Sequence, residues 1–159
     1  MFDPSRGSNT DAAALVREFG STVEGLTILG GEPLEQLGGV AQLAEAAQAR
    51  GLGVIVSTGF TEAEARQRAG FASLWPHIDT LIAGPFVASL REPVGGRKMV
   101  GSSNQRLVHR TDRYRDPQLW IGPRGAEVVP DGRGGATVVG DPGLVARVRR
   151  RLHVASSGC

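Results

Sequence analysis

The order of apolar and polar positions divides this chain into alternating helices and strands. "DAAALVREFG" puts Leu15, Val16 and Phe19 on one face of a helix that Thr10 caps and Gly20 stops. "LTILGG" is a short apolar strand. Pro33 then suits the first position of a helix, where its missing N–H leaves no hydrogen bond unmade. That helix runs through "EQLGGVAQLAEAAQARG" and ends at Gly51. "VIVST" is a second, β-branched strand. Thr61 opens a helix over "EAEARQRAGFASLW", with Glu64 three residues on completing a capping box. "IDTLIAGPF" is a third strand, and residues 88–105 form a long loop of the kind that is often functional. "RLVHRTDRY" alternates as a further strand. "AEVVPDGRGGATVVG" predicts an antiparallel hairpin around Asp131-Gly132, and Asp141-Pro142 opens a last helix, "GLVARVRRRLH".

Continuous apolar strands joined through helices predict an α/β fold with parallel β/α units. The 159 residues suit a single domain, with a β/α core over 10–115 and a hairpin, basic helix and tail over 116–159. A hydrophobic share of 40% and a net charge of only +2 fit a soluble globular chain and give no ground for a nucleic-acid partner. No apolar run is long enough to span a bilayer, and no secretory leader is evident, so a cytoplasmic protein without a membrane partner is expected. The arginines at 147–151 are a solvated helix face, with Val145, Val148 and Leu152 packed inward and no aromatic between them. One cysteine, Cys159, excludes an internal disulfide and any metal site built from several cysteines of this chain.

Parallel sheets bind ligands beyond the carboxyl ends of their strands. Three stretches fall there: Gly30–Pro33, Ser57–Phe60 and Gly84–Phe86. In the first, two glycines permit close approach to the backbone, and Glu32 adds a charged acceptor. With no lysine and no P-loop spacing, the turn suits an ammonium group better than a phosphate. A plain strand–helix turn with an exposed Glu32 is the alternative. A generic nucleotide-binding domain is disfavoured, since G-x-G-x-x-G is absent as well.

The set "LGGEP", "STGF", "DTLIAGPF", "GSSNQR" and "TDRY", in that order, resembles the single-cluster radical S-adenosylmethionine proteins, nearest to the activating proteins of anaerobic ribonucleotide reductase and other glycyl-radical activases. The resemblance runs from about Phe2 to the hairpin. It implies a partial (β/α) barrel that lacks the first β/α unit and carries a C-terminal hairpin and helix. It implies that Gly30, Gly31, Glu32 and Pro33 hold the methionine amino group of S-adenosylmethionine. Thr58 and Gly59 would border the nucleoside, and Ser102, Ser103, Asn104 and Gln105 would supply neutral donors and acceptors. The implied activity is reductive cleavage of S-adenosylmethionine at a [4Fe-4S] cluster, releasing a 5′-deoxyadenosyl radical. The implied partners are a glycyl-radical enzyme and an electron donor such as flavodoxin or ferredoxin.

Two departures bear on this. Ala83 stands where the family commonly has an acid before "GPF". The family's C-x-x-x-C-x-x-C cluster loop is missing, and "MFDPSRGSNTDAAAL" resembles what normally follows it. The expectation is that Met1 is internal and that this chain alone is inactive, with an exposed sheet edge that makes it marginally stable or prone to aggregate. The alternative is a non-redox module, derived from that barrel, that binds an adenosyl ligand or a protein. No catalytic residue and no metal ligand is identifiable. His77, His109 and His153 lack metal-ligand spacing. His77 is expected to be structural and His153 to face solvent, while His109 could face the core rim or the site. Asp112-Arg113-Tyr114 could close the site or serve as an ion-paired strand end.

Overall fold

A computed structural model of the chain describes residues 11–93 and 95–121, and the backbone of strands 126–130 and 136–140. Two compact units divide it: Met1–Glu92 with Val100–Leu119, and Pro93–Met99 with Trp120–Cys159. The first holds helices α1 (Ala12–Arg17), α2 (Leu37–Ala49), α3 (Glu62–Gln67) and α4 (Phe71–Leu74), and strands β1 (Gly25–Ile28), β2 (Gly53–Thr58), β3 (Thr80–Ala83) and β4 (Arg106–His109).

These strands form one sheet in the order β1-β2-β3-β4. The pairs β1–β2 and β2–β3 are parallel, and β4 runs antiparallel to β3. The protein is therefore a mixed α/β fold around a mostly parallel sheet. Central strands with covered faces need apolar side chains throughout. Accordingly β3 is buried along its whole length and β2 at all but Ser57, whereas outer strand β1 is only half-buried. Val54, Val56 and Leu81 pack with Leu34, Ala44, Ala47, Phe71 and Leu74 in the core. Burying each such aliphatic side chain contributes about 1.5–3 kcal/mol. Ala44 and Ala47 are fully covered, so α2 presents small residues to that core.

Local chemistry sets the element ends, and in three places it differs from the periodic expectation. Asp11 caps α1 by accepting from the Ala14 N–H, and Thr10 lies outside the described residues. Pro33–Glu35 is a separate 3₁₀ turn, because Gln36 leaves helical geometry (φ −123°) before α2 begins. The single helix expected after Thr61 is two. Arg68 is extended (ψ 133°), its guanidinium drawn to the Leu34 carbonyl and the Glu35 carboxylate, and Gly70 sits at φ +91°. The Thr61–Glu64 capping box forms as expected. So does the close of α2, where Gly51 at φ +74° donates to the Gln48 carbonyl.

The amino edge of the sheet is tied by a buried acid. Asp79 accepts from the Val54 N–H (2.8 Å) and the Thr111 hydroxyl (2.6 Å). Arg113 donates to the carbonyls of Gly51 and Glu24. The Tyr114 hydroxyl lies against the backbone of Gly25 and Gly53, where neither has a side chain to obstruct it. His109 pairs with Thr80 across β3 and β4, Nδ1 and Oγ1 being 2.9 Å apart.

In the second unit β5 (Ala126–Pro130) and β6 (Ala136–Gly140) pair antiparallel, as the sequence predicts. The turn at Asp131-Gly132, the expected last helix with its arginine run, His153 and Cys159 lie outside the described residues.

Two outcomes are expected from this framework. At Gly25 a Cβ would stand 2.6 Å from the Gly53 carbonyl oxygen, a backbone atom held in the sheet. Gly25→Ala should therefore cost about 1–3 kcal/mol in urea unfolding, while Gly20→Ala, which meets no neighbour, stays within about 0.5 kcal/mol of the parent. For His109, burial first and the Arg115 charge second hold the imidazole below its ordinary 6.5. The folded state then binds fewer protons than the unfolded one, so stability is full above pH 6.5 and is lost as pH falls through the depressed value. His109→Gln should flatten that part of the stability–pH curve.

Candidate functional site

Because β1, β2 and β3 share one direction and β4 opposes them, one edge of the sheet gathers three carboxyl ends and one amino end. Gly30–Pro33, Thr58–Gly59, Gly84–Phe86 and Ser102–Gln105 all follow or precede strands at that edge.

Glu32 organises the β1 and β2 ends. Its Oε1 accepts from the Thr58 hydroxyl (2.7 Å) and the Leu34 N–H (3.0 Å), and its Oε2 accepts from the Gly59 N–H (2.9 Å). A carboxylate offers about four acceptor positions, so about one remains for another donor. No cation pairs with Glu32 among the described residues. Gly30 and Gly31 precede it at φ +90° and +52°, and both are exposed with open space where a Cβ would stand. Pro33 is buried at the start of the 3₁₀ turn, which fixes the direction in which the chain leaves the glycines. Thr58 is buried, and besides donating to Glu32 it accepts from the Phe60 N–H.

Gln105 does comparable work between β3 and β4. Its Oε1 accepts from the N–H groups of Gly101 (2.8 Å) and Ser102 (3.1 Å), and its Nε2 donates to the Gly84 carbonyl (2.9 Å). Ser102 is fully buried and accepts from the Val87 N–H. These two residues spend their polar groups on the chain itself and hold the 84–102 loop. Ser103 is exposed, with its own N–H donating to the Leu90 carbonyl. Asn104 donates through Nδ2 to the Pro85 carbonyl (2.8 Å), while its Oδ1 is shielded from solvent without a partner.

Beside Asn104 lies a cavity of about 640 Å³, with Glu62, Arg66, Ala83, Pro85 and Arg106 in its lining. Nothing in the apolar periodicity identifies Glu62, Arg66 or Arg106 as site residues. Glu62 and Arg66 pair within α3, and Arg106 joins them because β4 turns back antiparallel beside β3. Leu29 and Phe86, at the ends of β1 and β3, remain 61% and 53% exposed, an apolar rim where core residues would be covered.

Some candidates lie elsewhere. Tyr114 and Arg113 sit at the amino edge, against Gly25, Gly51 and Gly53, so "TDRY" does not close this site. Asp112 of that stretch pairs with Arg115, the residue that follows it. His109 faces Thr80 at the amino end of β3, on the core rim, and His77 belongs to the Trp75–His77 turn before that strand.

A family profile described as 4Fe-4S single cluster domain matches residues 6–108, more than half of the chain. The chain belongs to this 4Fe-4S single cluster domain family, which is found in radical S-adenosylmethionine enzymes. No curated protein and no solved structure matches it. The residues present do not fit the cluster. A site-differentiated [4Fe-4S] cluster needs three thiolates, and the 159 residues contain one cysteine, outside the described part. Among the described residues no group of three His, Cys, Asp or Glu could hold a metal ion. Nor is any described helix long and apolar enough to cross a membrane.

The Gln105 clamp carries its own expectation. Gln105→Leu strands two N–H donors and the Gly84 carbonyl, and should cost about 1–3 kcal/mol. Hydrogen exchange at the amides of Gly101 and Ser102 should accelerate well beyond that of β2, which checks that the loss is local.

Proposed function

We propose that this chain is the S-adenosylmethionine-binding part of a radical-S-adenosylmethionine-type domain, built as a partial (β/α) barrel. The observation that carries this reading is the Glu32 carboxylate. It has no cationic partner among the described residues, has about one acceptor position left, and stands beside an exposed glycine turn at a strand-end edge. An α-ammonium group matches that acceptor and the strand-end carbonyls of Gly30 and Gly31. Thr58 and Gly59 adjoin Glu32 on the side where the nucleoside would lie, and the family match is consistent with such a cofactor.

Within the same proposal, radical generation and activation of a glycyl-radical partner belong to an assembly in which thiolates from outside these 159 residues hold the cluster. An external electron donor would serve that assembly. This chain alone then binds the cofactor and leaves it intact. A second reading, a non-redox module for adenosyl ligands, is favoured by the single cysteine.

Calorimetry with S-adenosylmethionine and with 5′-methylthioadenosine, which lacks the ammonium, tests the cradle. S-adenosylmethionine should bind more tightly, and Glu32→Gln should weaken it about tenfold while leaving 5′-methylthioadenosine unchanged. Equal loss for both ligands would show Glu32 to be a strand tie alone, and no binding of either would sink the proposal. After iron and sulfide reconstitution the chain should show no cluster absorbance and no cofactor cleavage. Uptake with cleavage would overturn the thiolate argument. If supplying the missing thiolates on a longer chain gives a cluster but no cleavage, the non-redox reading stands.

A further inference from the structure

Glu32 joins the turn after β1 to the end of β2 through the Leu34 N–H, the Thr58 hydroxyl and the Gly59 N–H. Arg68 joins the same two turns at a second point. Its Nε donates to the Leu34 carbonyl (3.2 Å) and its Nη2 to the Glu35 carboxylate (2.7 Å), while its guanidinium carbon lies 4.3 Å from the centre of the Phe60 ring. Leu34 and Glu35 belong to the 3₁₀ turn that follows the glycines, and Phe60 directly follows Thr58 and Gly59. The Phe60 N–H donates to the Thr58 hydroxyl oxygen, whose own proton goes to Glu32. The contacts therefore close a circuit through Glu32, Leu34, Arg68, Phe60 and Thr58.

The backbone places the arginine for this. At the break between α3 and α4 its N–H donates to the Ala65 carbonyl, and its own carbonyl accepts from the Phe71 N–H. Ala65 and Phe71 are buried in the core, so the side chain starts from a fixed point. A planar guanidinium can donate along its edge to two acceptors while its face covers an aromatic ring, which a compact ammonium cannot do. The pair with Glu35 contributes little alone, since that carboxylate is 60% exposed. The Leu34 carbonyl and the Phe60 ring are the contacts that bear on the turns.

We propose that Arg68 is a positioning residue for the Glu32 cradle. It holds the turn after β1 against the end of β2, so that Glu32 keeps its three donors and its remaining acceptor position keeps one direction. Arg68 acts through Leu34 and Phe60, not on a ligand. Its part in ammonium selectivity rests on the cofactor reading, whereas the tie between the turns does not.

The test uses the full chain. Arg68→Gln removes the charge and the cover over Phe60, Arg68→Lys keeps the charge without the planar fork, and Glu35→Gln removes the ion pair alone. Without ligand, hydrogen exchange at the Leu34 and Gly59 amides, both donors to Glu32, should be about tenfold faster in Arg68→Gln. Arg68→Lys should fall between it and the parent, and Glu35→Gln should stay within about twofold of the parent. The Ile82 amide in β3 should not change in any of them. In calorimetry Arg68→Gln should bind S-adenosylmethionine about tenfold more weakly and 5′-methylthioadenosine as the parent does. Unchanged exchange at Leu34 and Gly59, or equal acceleration at Ile82, would overturn the positioning role. Parent-like exchange in Arg68→Lys would overturn the need for a guanidinium. Faster exchange with the preference for S-adenosylmethionine intact would overturn the part in selectivity. Binding of neither ligand by the parent chain sinks the cofactor reading, and the exchange rates then decide the tie on their own.

Discussion

Donors from two successive strand ends converge on the Glu32 carboxylate, and the shape of the candidate site follows from that convergence. The Thr58 hydroxyl and Gly59 N–H come from the end of β2, and the Leu34 N–H from the turn after β1. Hydrogen bonds to a charged acceptor are stronger than neutral ones, about 1.5–3 kcal/mol each. Fixing both loops to one half-buried carboxylate leaves the preceding glycine turn little freedom to collapse onto the sheet. The same group thus sets the frame and supplies negative charge at its mouth.

The periodic parts of this fold were legible from sequence because burial dictates them. Val54–Val56 and Leu81–Ile82 had to be apolar in central strands, and Thr61 with Glu64 is a reciprocal cap that needs no tertiary partner. The helix interruptions were not legible. Gln36 and Arg68 leave helical geometry in a tertiary setting, with Arg68 reaching the Leu34 carbonyl across the packed elements. Periodicity carries no record of such a pull. The grouping of Gly30, Thr58 and Gly84 at one edge could be anticipated, since parallel strands align their ends, whereas Asn104 joins them because β4 runs antiparallel. Which of "GSSNQR" face inward could not. Ser102 and Gln105 look as polar in sequence as Ser103 and Asn104, and only the closing of the 84–102 loop assigns two of them to the interior.

Along the site edge, charge changes sign. Glu32 stands over the first two strands, and Arg106 opens the fourth. Ala83, which pairs with Arg106 in the sheet, contributes no charge of its own. The family match describes an iron–sulfur domain, and the thiolates for that cluster are the component these residues do not supply.

At Gly30 and Gly31, two demands coincide that are separable in principle. The backbone is left-handed at both, and the space beside each α-carbon is open. An L-side chain would offend the first demand, whereas a D-alanine suits positive φ and would occupy only the space. Semisynthesis with D-alanine thus divides the glycines' work into shape and clearance. If the turn persists while ligand entry is blocked, the emptiness beside the chain is itself what the site requires, and the strand end serves as the wall of a volume reserved for something else.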